Sequence, residues 1–231
     1  MPSTTIDTIF GTLIHDCAQK LLKHKQEQKE IDRFERTWKK FFGIYKKYII
    51  LEQWNQFFLA GKNILKNIRS LIEKEFGIDY EVLSIEELLY ESIEGFKQKF
   101  KAFVDLIILD KQHKRVVILD LKTCSTSFMF KRYANAKKER QLVLYKYFYC
   151  QKIGLDPKEV DTIFLLMEKD SGSKKYVELY KVTSGNVKIK NHLKVLNESL
   201  QNLNNLEIFP KNRLGCHFCV YKNTKYCSSS F

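Results

Sequence analysis

The sequence lacks the features that would place the protein in a membrane or outside the cell. No run of about 18 apolar residues occurs, so we expect no membrane-spanning helix and no membrane partner. The first residues, MPSTTIDTIFGTLIHD, contain no basic segment followed by an apolar one, which argues against a secretory signal. We therefore expect a cytoplasmic location, in which the six cysteines are reduced or metal-bound rather than disulfide-paired.

A P-loop motif, internal repeats, low-complexity blocks and long linkers are also missing. Without a P-loop, any ATP-driven motor that works with this protein must be a separate chain. At 231 residues, the chain is long enough for a sizeable core, and one domain spanning 1–231 is expected. Its expected parts are a helical N-terminal part (1–77), a sheet with the candidate catalytic residues (78–182), and a C-terminal helix with a cysteine tail (183–231).

Negative charge is in short supply. The chain has 27 acidic residues against 40 lysines and arginines, which gives a formal net charge of +13. Such an excess favours a polyanionic partner, usually nucleic acid. A generally lysine-rich surface is the alternative, because charge alone does not identify a partner.

The apolar periodicity predicts a mixed α/β (α+β) fold. Helical spacing is found at 5–25, 31–48, 54–76, 136–154 and 187–203. After a short mixed stretch from residue 80, strand-like runs are found at 88–93, twice within 99–123, and at 161–168 and 174–182. The stretch 124–135 has no clear periodicity and is predicted to be a loop. This order does not alternate as in a doubly wound fold, so we expect a central mixed sheet flanked by helices.

Three charged residues interrupt the apolar hairpin at 99–123, KFKAFVDLIILDKQHKRVVILDLKT. Asp120 and Lys122 are two residues apart and project from the same face of a strand. Antiparallel pairing of the two runs can bring Asp105 close to Asp120. Buried charges are costly unless they are paired or metal-bound, so this cluster points to a function. An ordinary cross-strand ion pair between Asp105 and Lys122 is the alternative.

The same cluster has the chemistry that phosphodiester hydrolysis requires. Mg²⁺ and Mn²⁺ prefer carboxylate oxygens, which Asp105 and Asp120 supply, and the backbone carbonyl of Leu121 could add a ligand. A bound divalent metal activates water and holds phosphate oxygens. Lys122 could orient the attacking water or offset transition-state charge. These residues predict a metal-dependent nuclease.

Four motifs follow one another along the chain, and two of them lie on predicted helices. They are Gly11 to His15 (Gly-x-x-x-His), Asp105 followed after fourteen residues by Asp120-Leu121-Lys122, Gln141 to Tyr145 (Gln-x-x-x-Tyr), and Cys216-x-x-Cys219 with Cys227. Their order and spacing resemble the PD-(D/E)XK nuclease superfamily, in particular its RecB-like branch, which includes phage-type exonucleases and iron–sulfur members. The resemblance covers nearly the whole chain.

The resemblance implies a restriction-endonuclease-like core and a set of metal ligands. His15, Asp105 and Asp120 would bind Mg²⁺ or Mn²⁺, and Lys122 would be the catalytic amine. Val104 stands where the motif has proline, which is a departure from the pattern. Taken by itself, a lone histidine on an amphipathic helix is more often a residue at the core edge than a ligand.

The resemblance also gives roles to the helix at 136–154. Gln141 and Tyr145 would contact DNA or steady the active-site lysine, although Tyr145 could also be plain helix packing. Basic residues lie close to Gln141 and could follow a phosphate backbone into the site; they are Lys131, Arg132, Lys138 and Arg140. A solvated helix start is the alternative for this cluster.

The cysteine tail offers three thiolates at ligand spacing, Cys216, Cys219 and Cys227. Three are too few for a four-cysteine [4Fe–4S] cluster or a usual structural zinc site. Iron–sulfur relatives supply an upstream cysteine, and Cys17 is the first candidate here, although it follows the Gly-x-x-x-His motif instead of preceding it. Its position on an apolar helix face also suits packing. Cluster, zinc and free thiols remain open.

We therefore expect a Mg²⁺- or Mn²⁺-dependent DNA nuclease, an exonuclease of recombination, repair or replication. DNA is the expected partner, with a separate helicase or recombination protein as a further one, and the host cytoplasm is the location if the protein is viral. The first alternative is a non-catalytic nucleic-acid-binding module with a cysteine-ligated metal or cluster. The second is a basic adaptor protein whose acidic residues are structural.

Overall fold

A computed structural model describes residues 5–48, 50–132, 136–170, 172, 175–205, 216, 219–225 and 227. The helices are α1 (Ile6–His24), α2 (Glu27–Tyr45), α3 (Leu51–Phe76), α4 (Ser127–Arg132), α5 (Ala136–Ile153) and α6 (Asn186–Asn205). The strands are β1 (Glu81–Ser92), β2 (Lys99–Asp110), β3 (Arg115–Cys124), β4 (Val160–Glu168) and β5 (Val177–Val182). Short 3-10 turns span Lys46–Tyr48 and Pro157–Glu159.

The chain divides into two compact units, Met1–Leu193 and Lys194–Phe231. The first contains α1 to α5, the whole sheet and the start of α6. The second contains the rest of α6 and the cysteine tail. None of the described helices is both long enough and apolar enough to cross a membrane.

The five strands form one mixed sheet in the order β1-β2-β3-β4-β5. Neighbours pair antiparallel except β3 and β4, which are parallel. A parallel pair needs a crossover, and α4 and α5 supply it. The mixed α/β fold predicted from the sequence is confirmed.

The three N-terminal helices pack on one face of the sheet. Helix α1 begins at Thr5, whose side chain accepts a hydrogen bond from the Thr8 N–H, and α3 ends at Gly77 with a φ of 78°. Residues of these helices form one apolar cluster with β3 side chains that include Leu119 and Leu121. Since side chains alternate along a strand, Asp120 and Lys122 point away from that cluster.

Helix α5 lies against the opposite face of the hairpin formed by β1 and β2. The rings of Phe100 on β2 and Phe148 on α5 stack with centroids 4.1 Å apart. Lys152 of α5 donates a hydrogen bond to Glu87 of β1 over 2.5 Å. The sheet is therefore covered by helices on both faces.

The prediction of a loop at 124–135 is wrong in part, because Ser127–Arg132 forms the short helix α4. The Ser127 N–H donates to the buried Glu168 carboxylate over 2.6 Å. A negative charge at a helix N-terminus is stabilising, and this one comes from β4. Six residues are too few for apolar periodicity to show, so this helix has no local signal in its own sequence.

Candidate active site

Asp105 and Asp120 lie where β2 and β3 stop pairing. The last pair of the ladder is Leu106 with Leu119, so the two aspartates are the next residues on each strand. Beyond that point the side chain of Asp105 replaces the backbone ladder, because its Oδ2 accepts a hydrogen bond from the Leu121 N–H over 2.7 Å. The antiparallel register predicted from the sequence does bring the two acids together.

Asp120 and Lys122 form an ion pair on one face of β3, with 2.6 Å between Asp120 Oδ2 and Lys122 Nζ. The Asp120 side chain is only 2% exposed, whereas that of Lys122 is 33% exposed. The Lys122 ammonium is therefore the close polar partner of the buried Asp120 Oδ2. The lysine pairs with Asp120 on its own strand, not with Asp105 across the hairpin.

Helix α1 brings His15 to this cluster, with its Nδ1 4.0 Å from Asp105 Oδ2. That distance is too long for a hydrogen bond. One turn further along α1, Gln19 donates from Nε2 to Glu86 Oε1 over 2.7 Å and to the Asp105 carbonyl over 3.0 Å. Helix α1 is thereby joined to both strands of the β1–β2 hairpin at the site.

Burial shifts the pKa of three groups of the site, His15, Asp105 and Asp120. Burial, together with the charge of Lys122, lowers the pKa of His15 to about 4. The imidazole is thus neutral at neutral pH, the form that binds metals. Burial raises the pKa of Asp120 against the effect of Lys122, and the nearby Asp105 adds to the rise. The pKa of Asp105 is also raised by burial, opposed by the Leu121 N–H and Lys122.

Gln141 and Tyr145 lie one turn apart on α5 and bind each other. The Gln141 amide donates to the Tyr145 hydroxyl over 2.7 Å. Burial raises the pKa of Tyr145, and the charges of Asp120 and Asp105 contribute to the rise, which places the phenol within electrostatic range of the site. The structure thus shows the amide engaged with Tyr145, and a contact with DNA stays a prediction.

The four basic residues predicted to follow a phosphate backbone have different surroundings. Lys131 is paired with Glu178 over 2.8 Å. Lys138 Nζ lies 4.5 Å from the centroid of the Phe130 ring. Arg140 is half-buried, with an Nε that has no hydrogen-bond partner in the described part of the chain. The side chain of Arg132 lies outside the described residues.

The cysteines fall in both units of the chain. In the first, Cys17 is fully buried in the apolar cluster, and burial raises the pKa of its thiol to about 12, with Glu30 adding to the rise. In the second, Cys216 and Cys227 are half-buried and Cys219 is exposed. The full burial of Cys17 within the apolar cluster fits the packing alternative.

Gln19 and Glu86 are site residues that the sequence reading missed. Glu86 stands opposite Asp105, between the pairs Ile85–Leu106 and Glu87–Val104. Its φ of 52° is unusual for a glutamate in a strand. Another acid of β1, Glu91, pairs with Phe100 further along the hairpin. A signal for Gln19 did exist, since it follows His15 by four residues and shares its helix face.

The family model of the PD-(D/E)XK nuclease superfamily matches residues 2–224. The chain belongs to this superfamily. It is therefore a nuclease by family, and nucleic acid is the substrate class that the family implies.

Among solved structures, this PD-(D/E)XK chain is similar to a candidate exonuclease from Eubacterium rectale. The TM-score is 0.52 and the identity 12%, over 93% of this chain and 73% of that one, which is a likeness of fold. The protein SSO0001 matches over 98% of this chain and 99% of its own, at 13% identity and a TM-score of 0.42, too low to add to the argument. No curated protein matches the sequence significantly.

PD-(D/E)XK nucleases typically use divalent metals such as Mg²⁺. Among the residues that the structure describes, no three histidine, cysteine, aspartate or glutamate side chains are grouped so that they could hold a metal ion by themselves. Mg²⁺ does not require such a group, because it binds through one or two carboxylates and keeps several waters. Burial raises the pKa of both aspartates, and a cation beside them would lower the cost of ionising them. The residues present fit a divalent cation with oxygen ligands.

Proposed function

We propose that this PD-(D/E)XK nuclease is a metal-dependent deoxyribonuclease, an exonuclease of DNA recombination, repair or replication. The observation that carries the proposal is the pairing of buried Asp120 with Lys122 over 2.6 Å, beside Asp105, where β2 and β3 stop pairing. A buried acid with a raised pKa and a partly exposed amine next to it is an arrangement suited to catalysis. Exonuclease character is suggested by the name of the Eubacterium rectale fold neighbour.

In this proposal Asp105 and Asp120 hold Mg²⁺ or Mn²⁺, with His15 and the Leu121 carbonyl as further ligands. When bound, the ion lowers the pKa of a water and stabilises charge on the phosphate. The Leu121 N–H fixes the orientation of the Asp105 carboxylate. His15 is neutral at neutral pH, so it meets a cation without repulsion.

Lys122 is proposed to act on the reacting groups. Asp120 holds its ammonium at the site, and a side chain that is one-third exposed can reach a substrate. The ammonium donates hydrogen bonds to the attacking water or to a phosphate oxygen, where negative charge grows. As hydrolysis proceeds, the water oxygen bonds to phosphorus, the bond from phosphorus to the leaving sugar oxygen breaks, and that oxygen takes up a proton.

The DNA path is proposed to run past α5. Lys138 and Arg140 would contact phosphates, and the Gln141–Tyr145 pair would contact the strand at the site. Lys131 is held by Glu178 in the free protein, so it would have to exchange that partner for phosphate. A helicase or recombination protein as a second partner stays a prediction, as does a cytoplasmic location.

A [4Fe–4S] or zinc site formed by Cys216, Cys219 and Cys227 with Cys17 is retained as a separate proposal from sequence. Iron, sulfide and zinc analysis of the purified protein, with its visible absorption spectrum, tests it. Brown absorption with about four irons per chain would identify the cluster. If protein without iron or zinc cleaves DNA at the full rate in Mg²⁺ or Mn²⁺, the cysteine site has no part in the mechanism.

The test of the nuclease is degradation of end-labelled linear DNA in Mg²⁺ or Mn²⁺, compared with closed circular DNA. We expect wild type to degrade linear DNA and spare the circle, and Asp120→Ala and Lys122→Ala to lose at least about a hundredfold in rate. Asp79→Ala and Lys74→Ala, at exposed positions away from the site, serve as matched controls. Cleavage by Lys122→Ala at the wild-type rate would contradict the catalytic assignment. DNA binding without any cleavage would favour the non-catalytic module.

A further inference from the structure

The outer half of the β1–β2 hairpin has one covered face and one open face. Towards α5, Leu89 and Val104 are fully buried and Phe100 stacks on Phe148. The other face consists of the alternate residues of both strands, all exposed: Leu88, Tyr90 and Ser92 of β1, and Lys99, Lys101 and Phe103 of β2. We call these six residues the hairpin face.

The composition of the hairpin face is unusual for a strand surface in water. The solvent side of an antiparallel sheet normally carries polar residues. Here Leu88 and Phe103 are register partners and are 44% and 50% exposed, and Tyr90 is 55% exposed. Three large apolar or aromatic side chains in adjacent rows of one face indicate a surface that binds something.

The lysines of the hairpin face accompany the aromatic rings. Tyr90 pairs in register with Lys101, and Lys99 Nζ lies 4.7 Å from the centroid of the Tyr90 ring. None of the six residues of the hairpin face is acidic, and Glu87 lies on the opposite side with Lys152. The neighbouring acid Glu86 accepts a hydrogen bond from Gln19. Rings that can stack on bases, together with cations for the backbone, are the features that bind single-stranded nucleic acid.

The hairpin face begins next to the candidate active site. Phe103 precedes Asp105 by two residues, and Leu88 follows Glu86 by two, which corresponds to about 7 Å of strand. Phe103, Tyr90 and their neighbours then extend away from the site along the hairpin. A strand bound along this surface would run towards Asp105 from the side of the hairpin that α5 leaves uncovered.

We propose that the hairpin face binds single-stranded DNA and guides it to the candidate active site, with Phe103 and Tyr90 stacking on bases and Lys99 and Lys101 contacting phosphates. This inference rests on the proposed function, because it supplies that site with its substrate strand. A second copy of the chain is a poorer occupant. A two-fold contact would set the same face, with its two lysines, against itself.

The experiment measures binding of a fluorescein-labelled 20-nucleotide oligothymidylate by anisotropy, using the full chain in EDTA so that cleavage plays no part. We expect Phe103→Ala and Tyr90→Ala each to raise the Kd roughly fivefold to a hundredfold. Phe103→Trp should bind as wild type and Phe103→Leu should not, because stacking needs a ring. Lys101→Ala should lower the slope of log K against log salt by about 0.7.

Controls are Leu59→Ala on α3, a side chain with 53% exposure, and Lys74→Ala, which removes the same charge elsewhere. Wild-type affinity in Phe103→Leu would overturn the stacking surface. So would a wild-type dimer that Phe103→Ala converts to monomer in sedimentation, which would make the hairpin face a copy-to-copy interface. If Phe103→Ala and Tyr90→Ala bind the oligonucleotide as tightly as wild type does, and the wild-type protein cleaves linear DNA, this inference alone is overturned. If these variants bind more weakly but the wild-type protein cleaves no DNA, the proposed nuclease activity alone is overturned.

Discussion

The Asp105 carboxylate and the Leu121 backbone are joined across two strands by a hydrogen bond of 2.7 Å from the Leu121 N–H to Asp105 Oδ2. This one contact serves both structure and site. It satisfies a backbone donor where the β2–β3 ladder has ended, and it fixes a carboxylate that is proposed to bind metal.

Substitutions of Asp105 should therefore separate stability from activity. Asp105→Asn keeps an oxygen for the Leu121 N–H, so we expect stability close to wild type. Asp105→Ala leaves that donor without its partner and should cost about 1–3 kcal/mol of unfolding free energy in urea. Both variants should lose activity on linear DNA. Equal stability of the two variants would show that the hydrogen bond contributes little.

The pH dependence of stability should report the burial of Asp120. Its folded pKa is raised, so between the unfolded value near 3.9 and the folded value the native state binds more protons than the unfolded one. Stability due to this group is therefore present at low pH and is lost as pH rises through the folded pKa. Asp120→Asn avoids ionisation, so it should be more stable than wild type at pH 8 and show little difference at pH 4.

Thermal melting of wild type and Asp120→Asn in EDTA, between pH 4 and pH 8, measures this difference. The difference isolates Asp120 from His15, whose lowered pKa gives the opposite slope between about 4 and 6.5. Asp79→Asn, an exposed acid, is the control. A difference in melting temperature that does not change with pH would contradict the raised pKa.

Divalent metal should stabilise the folded protein through the same carboxylates. A ligand that binds only the native state at a hundred times its Kd adds about 2.7 kcal/mol, or roughly 5–11 °C in Tm for a chain of this size. We expect Mn²⁺ or Mg²⁺ to raise the Tm of wild type and to leave that of Asp120→Ala unchanged. A similar rise in both proteins would place the metal elsewhere.

The sequence alone was sufficient for the main strands and for the acid pair. The apolar runs on either side of DKQHK are long enough to define β2 and β3, and antiparallel pairing then dictates that Asp105 and Asp120 meet. The same periodicity places His15 on α1. These inferences succeed because each depends on local patterns and on a single strand pairing.

Other parts of the site depend on contacts that no local pattern encodes. Glu86 reaches the site after an irregularity in the β1–β2 register between Val82 and Ser84, and with a left-handed backbone at Glu86 itself. Counting alternation along β1 cannot locate it. Likewise, Lys131 pairs with Glu178, which lies 47 positions further along the chain. The basic cluster near Gln141 is therefore partly neutralised, which the local sequence does not indicate.

The cysteines should differ widely in reactivity. Cys17 is fully buried, and its pKa is raised to about 12, so almost none of it is thiolate at pH 8. Cys219 is exposed. We expect iodoacetamide to label Cys219 in the native protein while Cys17 reacts only after unfolding, as peptide mass spectrometry would show. Rapid native labelling of Cys17 would mean that α1 opens readily.

Gly61 of α3 lies against the Phe34 ring of α2, and its replacement should be destabilising. A Cβ at Gly61 would lie 2.2 Å from the Phe34 ring, which is itself fully buried and stacked on Trp38. The gain in helix propensity of about 1 kcal/mol is smaller than the overpacking penalty of about 1–3 kcal/mol for a ring that cannot move. We expect Gly61→Ala to lower the unfolding free energy by about 1 kcal/mol in urea.

Gly43→Ala, near the end of α2 with open space around it, should instead raise the unfolding free energy slightly. If the clash is the cause, Phe34→Leu should cost less in the Gly61→Ala background than in wild type, and additive effects of the two substitutions would rule that cause out.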